Sequence, residues 1–114
     1  MKQIKTSELT GVALDWAVAK CEGVEYRANP YIQEIPFYFH EEATLFSSNW
    51  AQGGPIIERE GISAEWHAGR LLWRSVPGVA GTVHYGETPL IAAMRCYVAS
   101  KLGNVVEIPD ETLS

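Results

Sequence analysis

No stretch of this sequence comes near the roughly 20 consecutive apolar residues that a bilayer-spanning helix needs. Its first residues, MKQIKTSELTG, carry no apolar core of the kind that secretory signals have. The expectation is a soluble chain of a reducing cytosol, with no membrane partner. Cysteine is scarce: Cys21 and Cys96 stand far apart, and no C-x-x-C pair exists to build a zinc site. Two free thiols are expected in a reducing compartment. Basic residues are outnumbered, nine Lys and Arg against fourteen Asp and Glu, giving a net charge of -5. Nucleic-acid binders draw affinity from clustered cations, so this balance argues against one. The acidity is also too mild for a mimic of DNA. His40, His67 and His84 lie in three separate segments, and the dense "HEE" at 40–42 reads as a solvated patch. Phosphate-loop, H-E-x-x-H and G-x-S-x-G signatures are missing. Neither a catalytic pair, a metal nor a cofactor is indicated, and the balance leans away from an enzyme.

What is present is ordinary globular material, with 46% apolar and 20% charged residues in 114. A chain of this length is expected to form one domain over residues 1–114 and to bury roughly 65% of its unfolded surface. The first strong element is "TGVALDWAVAKCEG". Leu9, Ala13, Leu14, Ala17, Val18 and Cys21 recur at helical spacing, with Asp15 and Glu22 directed the other way. Thr10 is the expected N-cap and Gly23 the stop. Residues 24–49 mix aromatics with Pro30 and Pro36 and read as a long aromatic loop, with "PFYFH" as an edge strand. Pro55 suits the first turn of a short helix, "PIIERE", stopped by Gly61. "ISAEWH" and "LLWRSV" alternate as a hairpin does, and "PGVAGTVHYGE" reads as a glycine-rich loop. "TPLIAAMRCYVASKLG" has Thr88 as N-cap, Pro89 at the first helical position and Gly103 as terminator. "VVEIP" supplies a further strand, and "DETLS" a polar tail. The fold class is α+β: two amphipathic helices packed on a small antiparallel sheet, with a long aromatic loop.

Three blocks, "LTGVALDWAVAKCEG", "NWAQGGPIIEREGI" and "TPLIAAMRCYVASKLG", together resemble the NinX-like family of small proteins from tailed phages and enterobacterial prophages. The resemblance runs from about Thr6 to Pro109, with residues 26–46 and 77–85 as its variable parts. Asn49 and Asn104 stand where many relatives carry Asp. The resemblance implies a phage accessory protein in a bacterial host cytoplasm and implies no reaction.

Aromatic and basic residues beside the Gly-Gly turn carry the functional expectation. Trp50, Trp66, Trp73 and Tyr85 can stack on a planar ligand, while Arg59, Arg70 or Arg74 can meet phosphate. Gln52, Gly53 and Gly54 precede the expected short helix, where glycine lets a ligand approach backbone N–H groups. Packing alone also accounts for Gly-Gly-Pro, with Ile56 and Ile57 anchoring the turn. Cys21 and Cys96 read as inert buried thiols. Arg95, set between Ala92 and Ala99, reads either as an interface residue or as a solvated one. Two functions follow. One is a stoichiometric binder, monomeric or a homo-oligomer, that sequesters a nucleotide-type small molecule to counter host defence. The other is an adaptor or inhibitor that grips a host protein through the aromatic loop.

Overall fold

The computed structural model describes residues 1–23, 45–78 and 81–113. Most of the expected aromatic loop, "PFYFH" included, lies outside the described residues. The rest is α+β, with three helices and two small antiparallel sheets. In chain order the elements are β1 (Lys2–Lys5), α1 (Gly11–Cys21), α2 (Trp50–Glu60), β2 (Glu65–His67), β3 (Leu72–Ser75), β4 (His84–Gly86), α3 (Pro89–Leu102) and β5 (Val105–Ile108). Short 3-10 turns cover Thr6–Glu8 and Asp110–Leu113.

Helix α3 forms where its end signals place it. The Thr88 side chain accepts from Ile91 N at 3.1 Å, Pro89 opens the helix, and Gly103 follows it. Leu90, Ala92, Ala93, Met94, Cys96, Tyr97 and Val98 are all buried, so the apolar surface runs round the helix rather than along one stripe. Such a helix must be covered on several sides. Helices α1 and α2, strands β3, β4 and β5, and the Thr6–Glu8 turn all pack on it. Helix α1 is likewise buried from Ala13 to Ala19. Its Thr10 holds the N-cap backbone position, but the side chain makes no capping bond, against expectation.

The two sheets correct the expectation of one. "VVEIP" does form a strand, but β5 pairs with β1, a strand unforeseen in the polar start of the chain, in the register Ile4↔Val106. The hairpin of β2 and β3 is present, with Trp66 opposite Trp73. It gains a third strand, β4, from within the glycine-rich "PGVAGTVHYGE". The signal there is hidden because Gly86 sits in the strand. A side chain on Gly86 would meet Ala92 N at 2.6 Å, so only glycine lets β4 lie this close to α3.

Helix α2 also differs from expectation. It starts at Trp50, where Asn49 Oδ1 accepts from Ala51 N at 2.8 Å, and ends at Gly61 in the left-handed region with φ 64°. Pro55 therefore lies in the second turn instead of opening the helix. It removes one ladder bond, the one to the carbonyl of the exposed residue Ala51. The two glycines before it have different reasons. A Cβ on Gly53 would come within 2.4 Å of the Phe46 carbonyl oxygen and 2.5 Å of Leu90 Cδ1, so this glycine brings α2 onto α3. A Cβ on Gly54 would meet only Trp50 Cε3 at 3.7 Å.

Asp15 is a further correction. It is 4% exposed, and its Oδ1 accepts from Ser47 N at 2.7 Å, tying the turn before α2 to α1. Burial pushes its carboxyl up from 3.8 to about 6, against the pull of the Ser47 bonds.

Two predictions follow from this packing. Gly53→Ala should cost about 1–3 kcal/mol by overpacking, while Gly54→Ala should gain about 0.5–1 kcal/mol of helix stability. Denaturant unfolding of both variants checks the pair, and equal effects would count against this arrangement. For Asp15 the folded chain holds the extra proton between its unfolded and folded values, so its contribution to stability falls as pH rises through that window. The stability of the wild type relative to Asp15→Asn should thus be about 1 kcal/mol more favourable at pH 5 than at pH 7.5. A pH-independent difference would contradict the burial of this carboxyl.

Candidate functional site

A cleft of about 750 Å³ opens where the two sheets meet over α3. One wall comes from β1, the following turn and the start of α1, through Lys5, Ser7 and Thr10. The other comes from β4 and its approach, through Thr82 to Gly86, with Leu72 behind it. Ile91 and Arg95 of α3 form the floor, and Asn104 and Val105 close one end. β4 is the edge strand of its sheet, so this side of it is free of further pairing.

Arg95 is the most distinctive residue of the cleft. Its Nε donates to Leu9 O at 2.7 Å and its Nη1 to Tyr85 O at 2.8 Å, bridging the start of α1 to β4. It is half-buried and forms no ion pair among the described residues. Burial lowers its pKa, opposed by the Glu87 carboxylate. A guanidinium has five N–H donors, so both N–H groups of Nη2 remain available. Lys5 adds a second cation against the single carboxylate of Glu87, and Ser7, Thr10 and Thr82 add hydroxyls. Burial holds the His84 imidazole below its ordinary range, with the Arg95 charge acting in the same direction, so the ring is neutral at neutral pH. This acidic chain therefore carries a local cationic pocket with hydroxyls on its walls and apolar side chains at Leu72, Val83, Ile91 and Val105. Such a mixture suits a small ligand with an anionic end and a flat or apolar end.

Of the residues expected from the sequence to meet a ligand, Tyr85 lines this cleft and the others do not. Trp50 opens α2 and is 55% exposed. Gln52 Oε1 accepts from Leu45 N at 2.8 Å. Gly53 and Gly54 lie inside α2. Arg59 grips Glu22 with both ends of its fork, at 3.0 and 2.8 Å, while its Nε donates to Glu60 at 2.9 Å. Tyr97 OH completes this knot by donating to Glu22, and Lys101 reaches Glu60 at 3.3 Å. A phosphate at Arg59 would have to compete with two carboxylates. Trp66 and Trp73 meet edge to face at 5.7 Å, with Trp66 52% exposed. Arg74 lies 3.4 Å from Glu65, and its Nε is buried without a partner. Trp73 and Arg74 are the strand neighbours of the cleft residues Gly86 and Tyr85.

Arg95, by contrast, is half-buried rather than fully solvated. Both its local bonds go to carbonyls distant in sequence, which no spacing rule reveals. The cue available was an arginine among small residues on an apolar helix. Lys5, Thr82 and His84 gave no cue, since chain topology alone unites them, and Asn104 stood out only through the family resemblance. Cys21 is half-buried and Cys96 buried; both thiols are free, and burial pushes each up to about 11, so neither is a reactive thiolate at neutral pH.

Among the described residues, no helix is long and apolar enough to cross a membrane. No individually curated protein matches the chain. The family pattern described as "Bacteriophage P22, NinX" matches residues 5–101, which takes in α1, α2, all but the last residue of α3 and most of the cleft, and the chain belongs to that family.

Proposed function

We propose that this phage-family protein is a stoichiometric binder of a small, nucleotide-type anion, held in the cleft over α3. The observation that carries the reading is Arg95, a half-buried guanidinium at the cleft floor that forms no ion pair among the described residues. A buried charge without a carboxylate is costly, and an incoming phosphate would relieve that cost through charge-assisted bonds. Lys5 and the hydroxyls of Ser7, Thr10 and Thr82 support the anionic end. Tyr85, Leu72 and Val83 offer a surface for a base or sugar. Trp73 and Arg74, one strand away, would extend that surface, with Trp66 beyond them. Trp50, Gln52, Gly53, Gly54 and Arg59 would serve only a ligand or partner reaching α2. Sequestering a nucleotide messenger of host defence is the role this chemistry fits.

A second reading keeps an adaptor role. Leu45 and Trp50, at the C-terminal end of the expected aromatic loop, are 41% and 55% exposed and would offer apolar contact to a host protein.

Calorimetry and thermal shift with a panel of cyclic and ADP-ribose-type nucleotides separate the two readings. Binding by at least one member is expected, weakened about tenfold in Arg95→Gln and about threefold in Lys5→Gln. Because Arg95 also bridges Leu9 and Tyr85, Lys5→Gln provides the control that leaves the packing intact. Absence of heat and of any thermal shift across the panel would remove the ligand reading and leave the adaptor.

A further inference from the structure

His84 is 6% exposed, and its two ring nitrogens meet different surroundings. Nε2 lies 2.9 Å from Thr82 Oγ1, whereas Nδ1 is buried with no partner. Thr82 Oγ1 donates in turn to Asn104 Oδ1 at 3.3 Å. A hydroxyl has one hydrogen. With that hydrogen on Asn104, Thr82 Oγ1 can only accept from the ring, so Nε2 carries the imidazole proton and Nδ1 keeps a lone pair. The energetics agree. A proton on Nδ1 would be a buried N–H without an acceptor, and orphaned donors are rarer in folded proteins than under-used lone pairs. Across the strand pair from His84 stands Ser75, fully buried, whose Oγ is also unpartnered.

The direction of this chain decides what the cleft presents. The Asn104 oxygen is engaged by Thr82, so its amide nitrogen, a double donor, is the free end. The free nitrogen of Arg95 and the Lys5 ammonium only donate. We infer that His84 and Thr82 form an oriented hydrogen-bond relay that fixes Asn104 as a donor and makes the cleft selective for phosphate-type anions, which accept at every oxygen, over neutral nucleosides. This deepens the ligand-binding reading above and rests on it. Thr82 and His84 act through Asn104 and are positioning residues.

Two measurements test the inference separately. The first is a long-range 1H–15N correlation spectrum of the uniformly labelled protein, with the His84 ring identified by its loss in His84→Gln. It should show the neutral tautomer with the proton on Nε2. The second is titration of pyrophosphate and of adenosine into the wild type, Thr82→Val and Thr82→Ser. The wild type should bind pyrophosphate and not adenosine, Thr82→Val should bind it roughly threefold to tenfold more weakly, and Thr82→Ser should recover. A proton on Nδ1 overturns the relay, whatever binds. The Nε2 tautomer in a protein that binds neither pyrophosphate nor any nucleotide overturns the ligand-binding reading, and the selectivity falls with it. Equal affinity for adenosine, or an unchanged Thr82→Val, overturns the selectivity alone.

Discussion

Covering helix α3 on several sides at once is the constraint from which the rest of the structure follows. A helix with buried residues at Leu90, Ala92, Ala93, Met94, Cys96, Tyr97 and Val98 cannot be served by one neighbouring layer. Two helices and two sheets share the task, and their approach is set by small groups at the contacts. Gly53 lets α2 come down beside Leu90, and Gly86 lets β4 lie against Ala92. Because two separate sheets cover the same helix, a seam remains between them. Where β4 ends its sheet and β1 and β5 form their own, the helix surface is left open, and Arg95 stands in the opening. The cleft is a product of how the helix is covered, and the arginine is held at its floor by carbonyls from both sides.

The same architecture sorts the charges. At the far end of α3, cations and carboxylates are matched: Arg59 with Glu22 and Glu60, and Lys101 with Glu60. Tyr97 brings its hydroxyl to that cluster from the buried helix. In the cleft the matching stops, with two cations facing one carboxylate. An overall excess of acid therefore does not forbid attraction of an anion at short range, since charges beyond a Debye length of about 8–10 Å are screened at ordinary ionic strength.

Much of the scaffold was legible in the sequence because its signals are local. Thr88, Pro89 and Gly103 mark α3 by chemistry confined to a few residues, and alternation around Trp66 and Trp73 marks the hairpin. The failures share one cause. β1 is a run of Lys, Gln, Ile and Lys whose strand character comes only from pairing with β5. β4 is short and includes a glycine placed for a helix that follows it. Asp15 looks like a solvent residue until Ser47, 32 positions on, supplies a donor. For the site the gap was wider. Aromatic and arginine content drew attention to α2 and the hairpin, where Arg59 is engaged by carboxylates and Trp66 by Trp73. Tyr85 apart, the cleft residues are ordinary in type and scattered from Lys5 to Val105, so spacing carries no trace of their meeting.

The anchors at Glu22 and at Ser47 have a bearing on how such a chain can change. Each is fastened to the scaffold independently, one to Arg59 and Tyr97, the other to Asp15. Helix α1 is thus tied to α2 by an exposed charge-assisted fork and to the turn before α2 by a buried carboxylate bond. A substitution that breaks one tie leaves the other in place, so the two helices lose their mutual placement in steps rather than at a single change.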